Sequence, residues 1–241
     1  MPGKLNKIAV KEKFKIVRNA AKKSAEMYIY DDIGDSWFGG LTAKQFKDEL
    51  KDLGDVEKIA LHINSYGGNV FDGVAIYNLL VNHKATVEVL IDGIAASIAS
   101  VIAMAGNTIK MAENGMLMIH EAWGMAVGNA DEMRRTADSL EKINETIRVT
   151  YAKRTGIDDG DLVDMMAAET WMTAQKAKEK GFIDDMQPAL EMAAHYDAGK
   201  YRFKNVPDDL AHPKERSNVN RHRLATMNLR AAKVRRASAD K

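Results

Sequence analysis

Between Lys58 and Ile119 short apolar runs of two kinds take turns, and this alternation limits the fold more than any other feature of the chain. Lys58–Asn64 (KIALHIN), Thr86–Ile91 (TVEVLI), Thr108–Met111 and Met116–Ile119 have the β-branched, apolar character of buried strands. Val70–Val81 (VFDGVAIYNLLV) and Ala96–Ala105, which fall between them, have apolar and small residues at helical spacing. Strands that alternate with helices imply βαβ units with right-handed crossovers, hence an α/β domain. Upstream, Met27–Tyr30 reads as a further strand. A Gly-rich loop, 31–40, follows it, and then an amphipathic helix over 41–53 with Thr42 as a candidate cap. Downstream, residues 131–153 form a long charged helix pattern with apolar positions every three to four residues. A shorter helix covers 159–168, and a third covers Thr173–Lys180, capped by Thr173 and ended by Gly181.

Composition narrows the chemistry. The 241 residues contain no cysteine, which excludes a thiol nucleophile, a disulfide framework and a sulfur-based zinc site. The formal charge of +1 conceals a gradient: residues 210–241 carry +7, and the rest carries −6. The first 26 residues are basic as well. The expected organisation is therefore a basic arm over 1–26, a folded domain over 27–190 and a basic, flexible tail over 191–241. Because the tail lies outside the domain, localisation, assembly or removal is expected of it rather than chemistry. Its charges, without a defined motif, imply salt-dependent contact with acidic surfaces and no specific nucleic-acid recognition. The apolar run Ile94–Ala105 is too short for a membrane span, which needs roughly 20 residues, so a cytoplasmic location is expected.

Of eight serines, Ser97 has the most unusual setting, in Asp92-Gly93-Ile94-Ala95-Ala96-Ser97, after a buried strand and at the start of a helix of small residues. A strand-to-helix turn puts a side chain at the sheet edge beside the free N–H groups of the helix start. The ordinary alternative is a plain N-cap. Asn64-Ser65-Tyr66-Gly67-Gly68 follows the preceding strand, and its paired glycines can turn backbone N–H groups outward as an oxyanion hole needs. The ordinary alternative there is a simple βα turn. No Gly-Lys-Ser/Thr follows, so a phosphate loop is not expected. His120 ends the strand Met116–Ile119 and, of six histidines, is the best placed to share a sheet edge with Ser97. An acid is needed on the far imidazole nitrogen; Glu169, Asp164 and Asp161 are the candidates.

These residues carry a resemblance. Ile63–Gly68, Gly93–Ser97, Met118–His120 and the stretch from Trp171–Ala177 to Gly181–Asp184 stand in the order and spacing of the Clp protease proteolytic subunits and the phage head-maturation proteases related to them. The likeness spans about residues 27 to 186. It implies a crotonase-type superhelix of ββα units with a long protruding handle helix starting near Asp131, through which rings of subunits meet. It implies Ser97 as nucleophile, His120 as general base, Glu169 as the acid, and the N–H groups of Gly68 and Ile98 as the oxyanion hole. The chain departs from the pattern at Tyr66 (a proline in the family), Ala99 (a glycine) and Glu169 (an aspartate). Ile29–Gly34 with Trp37–Gly40, together with the basic tail, resembles the phage branch.

The resulting expectation is a serine endopeptidase of prohead maturation, without cofactor or metal. It would act on scaffold and major capsid protein within assembling proheads in a host cytoplasm, as a ring-forming homo-oligomer. Three alternatives differ by class: a barrel peptidase fed by an ATP-dependent unfoldase, a crotonase-fold acyl-CoA enzyme, and a catalytically degenerate assembly or scaffold protein. The Ser97–His120 pair disfavours the acyl-CoA enzyme.

Overall fold

A computed structural model describes residues 14–19, 23–35, 40–189, 201 and 203–207. The chain through Val206 is one compact unit; of a second unit, from Pro207 onward, only Pro207 is described. The element order is β1 (Phe14–Asn19), β2 (Ser24–Ile29), α1 (Ala43–Asp52), β3 (Lys58–Ser65), α2 (Val70–Val81), β4 (Thr86–Ala96), α3 (Ile98–Ala103), β5 (Thr108–Ala112) and β6 (Met116–Ile119). It continues with α4 (Ala130–Thr155), α5 (Asp159–Ala167), β7 (Thr170–Thr173), α6 (Ala174–Glu179) and β8 (Asp185–Gln187).

Among the described residues the strands run β1-β2-β3-β4-β5-β8. From β2 onward every pairing on this path is parallel, and β1–β2 is an antiparallel pair. This is the α/β architecture expected from the alternation. The parallel strands are buried through Met27, Ile29, Ile59, Leu61, Ile63, Val87, Val89, Ile91, Ile109 and Met111, while Ile76 and Leu80 of α2 and Val101 and Ile102 of α3 belong to the same core. Each such side chain contributes roughly 1.5–3 kcal/mol on burial.

A bend in β4 sets up the site. Ile63 pairs with Ile91 but Ser65 pairs with Ala95, so β4 carries extra residues at Asp92–Ile94. A bulge bends its strand and re-aims the residues beyond it. Before it, Glu88–Ile91 pair with β5; after it, Ile94–Ala96 pair with β6. Gly93 allows the bend, since a Cβ there would lie 2.6 Å from Asn64 Oδ1, the atom that accepts from the Ile94 N–H.

Three differences from the sequence-based expectation have physical reasons. The strand β4 runs to Ala96, where the sequence suggested a helix already beginning, because small residues pack equally well in either. Residues 14–19, within the stretch read as an arm, form β1, whose short alternation is masked by surrounding lysines. Thr170–Thr173 is the strand β7, antiparallel to β6 and too brief to show a period.

The helix α4 is secured at both ends. Asn129 and Glu132 form a reciprocal capping box, and Gly156 closes the C-terminus in the left-handed conformation. Its 26 residues make it about 39 Å long at 1.5 Å per residue. Only Asn144, Ile147 and Tyr151 are buried, so the N-terminal half stands off the body.

Candidate active site

The bend in β4 and the parallel pairing with β6 bring two strand ends together. Ala96 pairs with Met118, and the Ser97 N–H donates to Met118 O at 3.0 Å. Ser97 therefore leaves β4 beside the point where His120 leaves β6. The two side chains meet, with Ser97 Oγ 2.7 Å from His120 Nε2. Ser97 makes no side-chain cap bond to α3, and its φ of 54° lies in the left-handed region. Such a backbone costs a non-glycine residue of order 1–3 kcal/mol and persists only where the surroundings enforce it. Here the Ser97 carbonyl accepts from the Ser100 N–H at 3.0 Å and from Ser100 Oγ at 2.6 Å. Ser100 Oγ in turn meets the hydroxyl of fully buried Tyr151 at 2.8 Å, so α4 is tied to the turn that carries Ser97.

The paired glycines lie against this turn. Ile33 N–H donates to Gly67 O and Ile33 O accepts from Asn69 N–H, both at 2.8 Å. In a parallel bridge this pattern spends the groups flanking Gly68 and directs the Gly68 N–H to the opposite side. Gly68 and Ser97 line the same cavity of about 380 Å³. A Cβ on Gly68 would lie 2.1 Å from Ile33 O, and one on Gly67 would lie 2.8 Å from Ser97 Cβ. Ile98 is the first residue of α3, and such N–H groups have no partner within their helix. Gly68 and Ile98 thus supply backbone donors at the two sides of Ser97.

Burial holds the His120 imidazole below the ordinary histidine range; the Glu169 carboxylate opposes this, and Lys204 adds to it. Burial therefore favours the neutral ring, whose Nε2 faces Ser97 Oγ. His120 lines both the Ser97 cavity and a second one of about 340 Å³ that Glu169 also lines. Glu169 is buried, with φ 50°. Its Oε1 accepts from Trp171 Nε1 at 3.1 Å and from the Asn205 N–H at 2.7 Å, and its Oε2 accepts from the Lys204 N–H at 2.8 Å. Among the described residues none of its hydrogen bonds goes to His120. Glu169 is therefore beside the histidine, acting on it through charge. Asp161 and Asp164 are exposed on α5 and line neither cavity. The other described histidines are engaged elsewhere: His62 Nδ1 pairs with Asp92 at 2.7 Å, and His83 Nδ1 accepts from the Ala85 N–H. His195, His212 and His222 lie outside the described residues.

Sequence reasoning missed two contributors to the site, Tyr201 and Phe203, which come from the stretch read as tail. Tyr201 stacks on Tyr66 with ring centroids 4.6 Å apart, and its hydroxyl donates to Asp32 Oδ1 at 2.5 Å. Phe203 meets His120 edge-on at 5.5 Å and Trp171 at 5.6 Å. Two aromatics one residue apart in an otherwise polar, basic segment were the available signal.

Residues 11–188 match the Clp protease family. The chain belongs to the Clp protease family. It is 33% identical over 150 residues to an ATP-dependent Clp protease proteolytic subunit of Bacteroides fragilis, which covers 60% of this chain and 72% of that protein. It is 32% identical, again over 150 residues, to the corresponding subunit of Bacteroides thetaiotaomicron, covering 60% and 68%. Membership makes the protein a serine-type endopeptidase of this family. The mixed α/β fold with its parallel sheet agrees with that membership. No helix among the described residues is long and apolar enough to cross a membrane, and among them no cluster of three or more His, Asp or Glu could hold a metal ion.

Proposed function

We propose that Ser97 is the nucleophile, His120 the general base and Glu169 the acid of a peptidase that matures a phage prohead. The 2.7 Å contact between Ser97 Oγ and His120 Nε2, beside two outward backbone N–H groups, carries the catalytic part of this reading. Ser97 Oγ attacks the scissile carbonyl carbon as its proton passes to His120 Nε2. The carbonyl oxygen becomes an oxyanion held by the Gly68 and Ile98 N–H groups, each such donor contributing ~2.7–4 kcal/mol to the transition state. His120 then protonates the leaving amine, and water, activated by the same ring, hydrolyses the acyl ester. The Glu169 carboxylate favours the charged imidazolium formed at each stage, which is the direction in which it moves the histidine.

The head-maturation part rests on the sequence. Ile29–Gly34 and the strongly basic residues beyond 207 resemble the phage branch, although Trp37–Gly39 and 208–241 lie outside the described residues. The substrates would be scaffold and major capsid protein, cut by a ring-forming oligomer whose rings meet through α4, inside proheads in a host cytoplasm. Coexpression of the chain with the adjacent capsid protein, followed by mass spectrometry, tests this. Defined capsid or scaffold fragments are expected from wild type and none from Ser97→Ala; intact capsid protein in both refutes the substrate assignment.

A second reading draws on the names of the relatives, which are ATP-dependent subunits. Here the same site would receive chains from an ATP-dependent unfoldase. Degradation of a folded protein that begins only when such an ATPase and ATP are added would favour it.

A further inference from the structure

Tyr201 and Phe203–Asn205 lie against the site. They use three kinds of contact. Tyr201 stacks on Tyr66 of the glycine turn and hydrogen-bonds buried Asp32. Phe203 packs on the apolar patch of Ile94, Ala96 and Met118 together with Trp171, edge-on to the catalytic imidazole. The backbone N–H groups of Lys204 and Asn205 donate to the two Glu169 carboxylate oxygens, and Asn205 Nδ2 donates to Ala168 O at 2.8 Å.

The consequences converge on the chemistry. The aromatic pair lines the same cavity of about 380 Å³ as Ser97, His120 and Gly68, so it narrows the space through which a substrate reaches Ser97. Hydrogen bonds to an ionised carboxylate are about twice as strong as neutral ones, and two of them hold Glu169 on the segment. Two of the three positions where the sequence departs from the family pattern, Tyr66 and Glu169, are contacts of this segment.

We infer that Tyr201 and Phe203–Asn205 form an autoinhibitory strap, which narrows the substrate cleft with Tyr201 and Phe203 and clamps Glu169 through the Lys204 and Asn205 N–H groups until it is displaced. The inference rests on the catalytic assignment above and adds its regulation. Release of the strap widens the cleft and frees the Glu169 oxygens for a direct bond to His120 in one event.

The test uses the full-length chain. Asn205→Pro removes one N–H donor to Glu169 and the Nδ2 bond to Ala168 O while leaving Ser97, His120 and Glu169 unsubstituted, and Tyr201→Ser/Phe203→Ser removes the aromatic anchors by an independent route. Two quantities are read: hydrogen exchange of the Lys204 and Asn205 amides, and the rate at which Ser97 is labelled by a fluorophosphonate probe. In wild type the Lys204 and Asn205 amides are protected; Lys204 exchanges freely in both variants, and Asn205 does so in Tyr201→Ser/Phe203→Ser. Labelling of Ser97 rises by about tenfold, equivalent to about 1.4 kcal/mol. Rapid exchange at Lys204 and Asn205 in wild type overturns the strap. Equal labelling of wild type and both variants, with thermal melting showing all three folded, overturns its inhibitory role while leaving the catalytic assignment in place. Absence of Ser97 labelling in every chain overturns that assignment, and the inhibition with it.

Discussion

Replacing Ser100 with alanine tests how the strained Ser97 turn is held. The Ser100 hydroxyl proton is spent on the Ser97 carbonyl at 2.6 Å, so at the 2.8 Å contact Tyr151 is the donor and Ser100 Oγ the acceptor. Both residues are essentially without solvent exposure, at 0% and 1%. Ser100→Ala therefore strands a buried phenol, which costs roughly 1–3 kcal/mol, in addition to the lost bond to Ser97. Tyr151→Phe removes the donor and leaves Ser100 bonded to Ser97, a loss of about 0.5–1.5 kcal/mol. Once the phenol has gone, Ser100→Ala strands nothing. The double variant should then fall short of the summed single losses by a coupling energy of about 0.5–3 kcal/mol, the range for residues in one hydrogen-bond network. Guanidinium unfolding of the four proteins measures this. Protein concentration must be held fixed, since self-association would shift apparent stability by mass action. Additivity within ~0.3–0.5 kcal/mol would refute the chain of bonds from α4 to the Ser97 turn.

Other outcomes follow from the same geometry. The base must be neutral, and burial lowers the His120 pKa, so the acid limb of kcat/KM against pH should lie below the ordinary histidine value of 6.5; a limb above 6.5 contradicts the assigned base. Glu169→Gln removes the charge that raises that pKa, so the limb should move to still lower pH while kcat falls; a limb that stays fixed removes Glu169 from the catalytic account. Gly68→Ala places a Cβ 2.1 Å from Ile33 O and must shift the N–H assigned to the oxyanion, lowering kcat by about 10²–10³ in a peptide assay; undiminished kcat would show that this donor is not used.

The legible and illegible parts of the molecule divide by the range of the forces involved. The helix Val70–Val81 was readable to the residue because its apolar spacing is local, and the caps Thr42 and Thr173 mark their helices through equally local bonds. Ser97 and His120 were readable because parallel strands bring their carboxyl ends to one edge, whatever the details of packing. The bulge at Asp92–Ile94 was not, although it decides that β6 rather than β5 lies beside Ser97. Nothing in those residues alone states which strand they will meet. Glu169 emerged from the resemblance rather than from its surroundings, since its position depends on a left-handed backbone at a helix end. The contacts of Tyr201 and Phe203 join residues more than eighty positions from His120 in sequence, beyond the reach of any periodicity.

The central claim is that Ser97 is the nucleophile activated by His120. Mass spectrometry of the intact protein and of its peptides after fluorophosphonate treatment tests it most directly. A single adduct on the peptide carrying Ser97 is expected, lost in Ser97→Ala and strongly slowed in His120→Ala, with peptide hydrolysis reduced by about 10⁴–10⁶ in each variant. An adduct on another serine, or hydrolysis that survives Ser97→Ala, would contradict it.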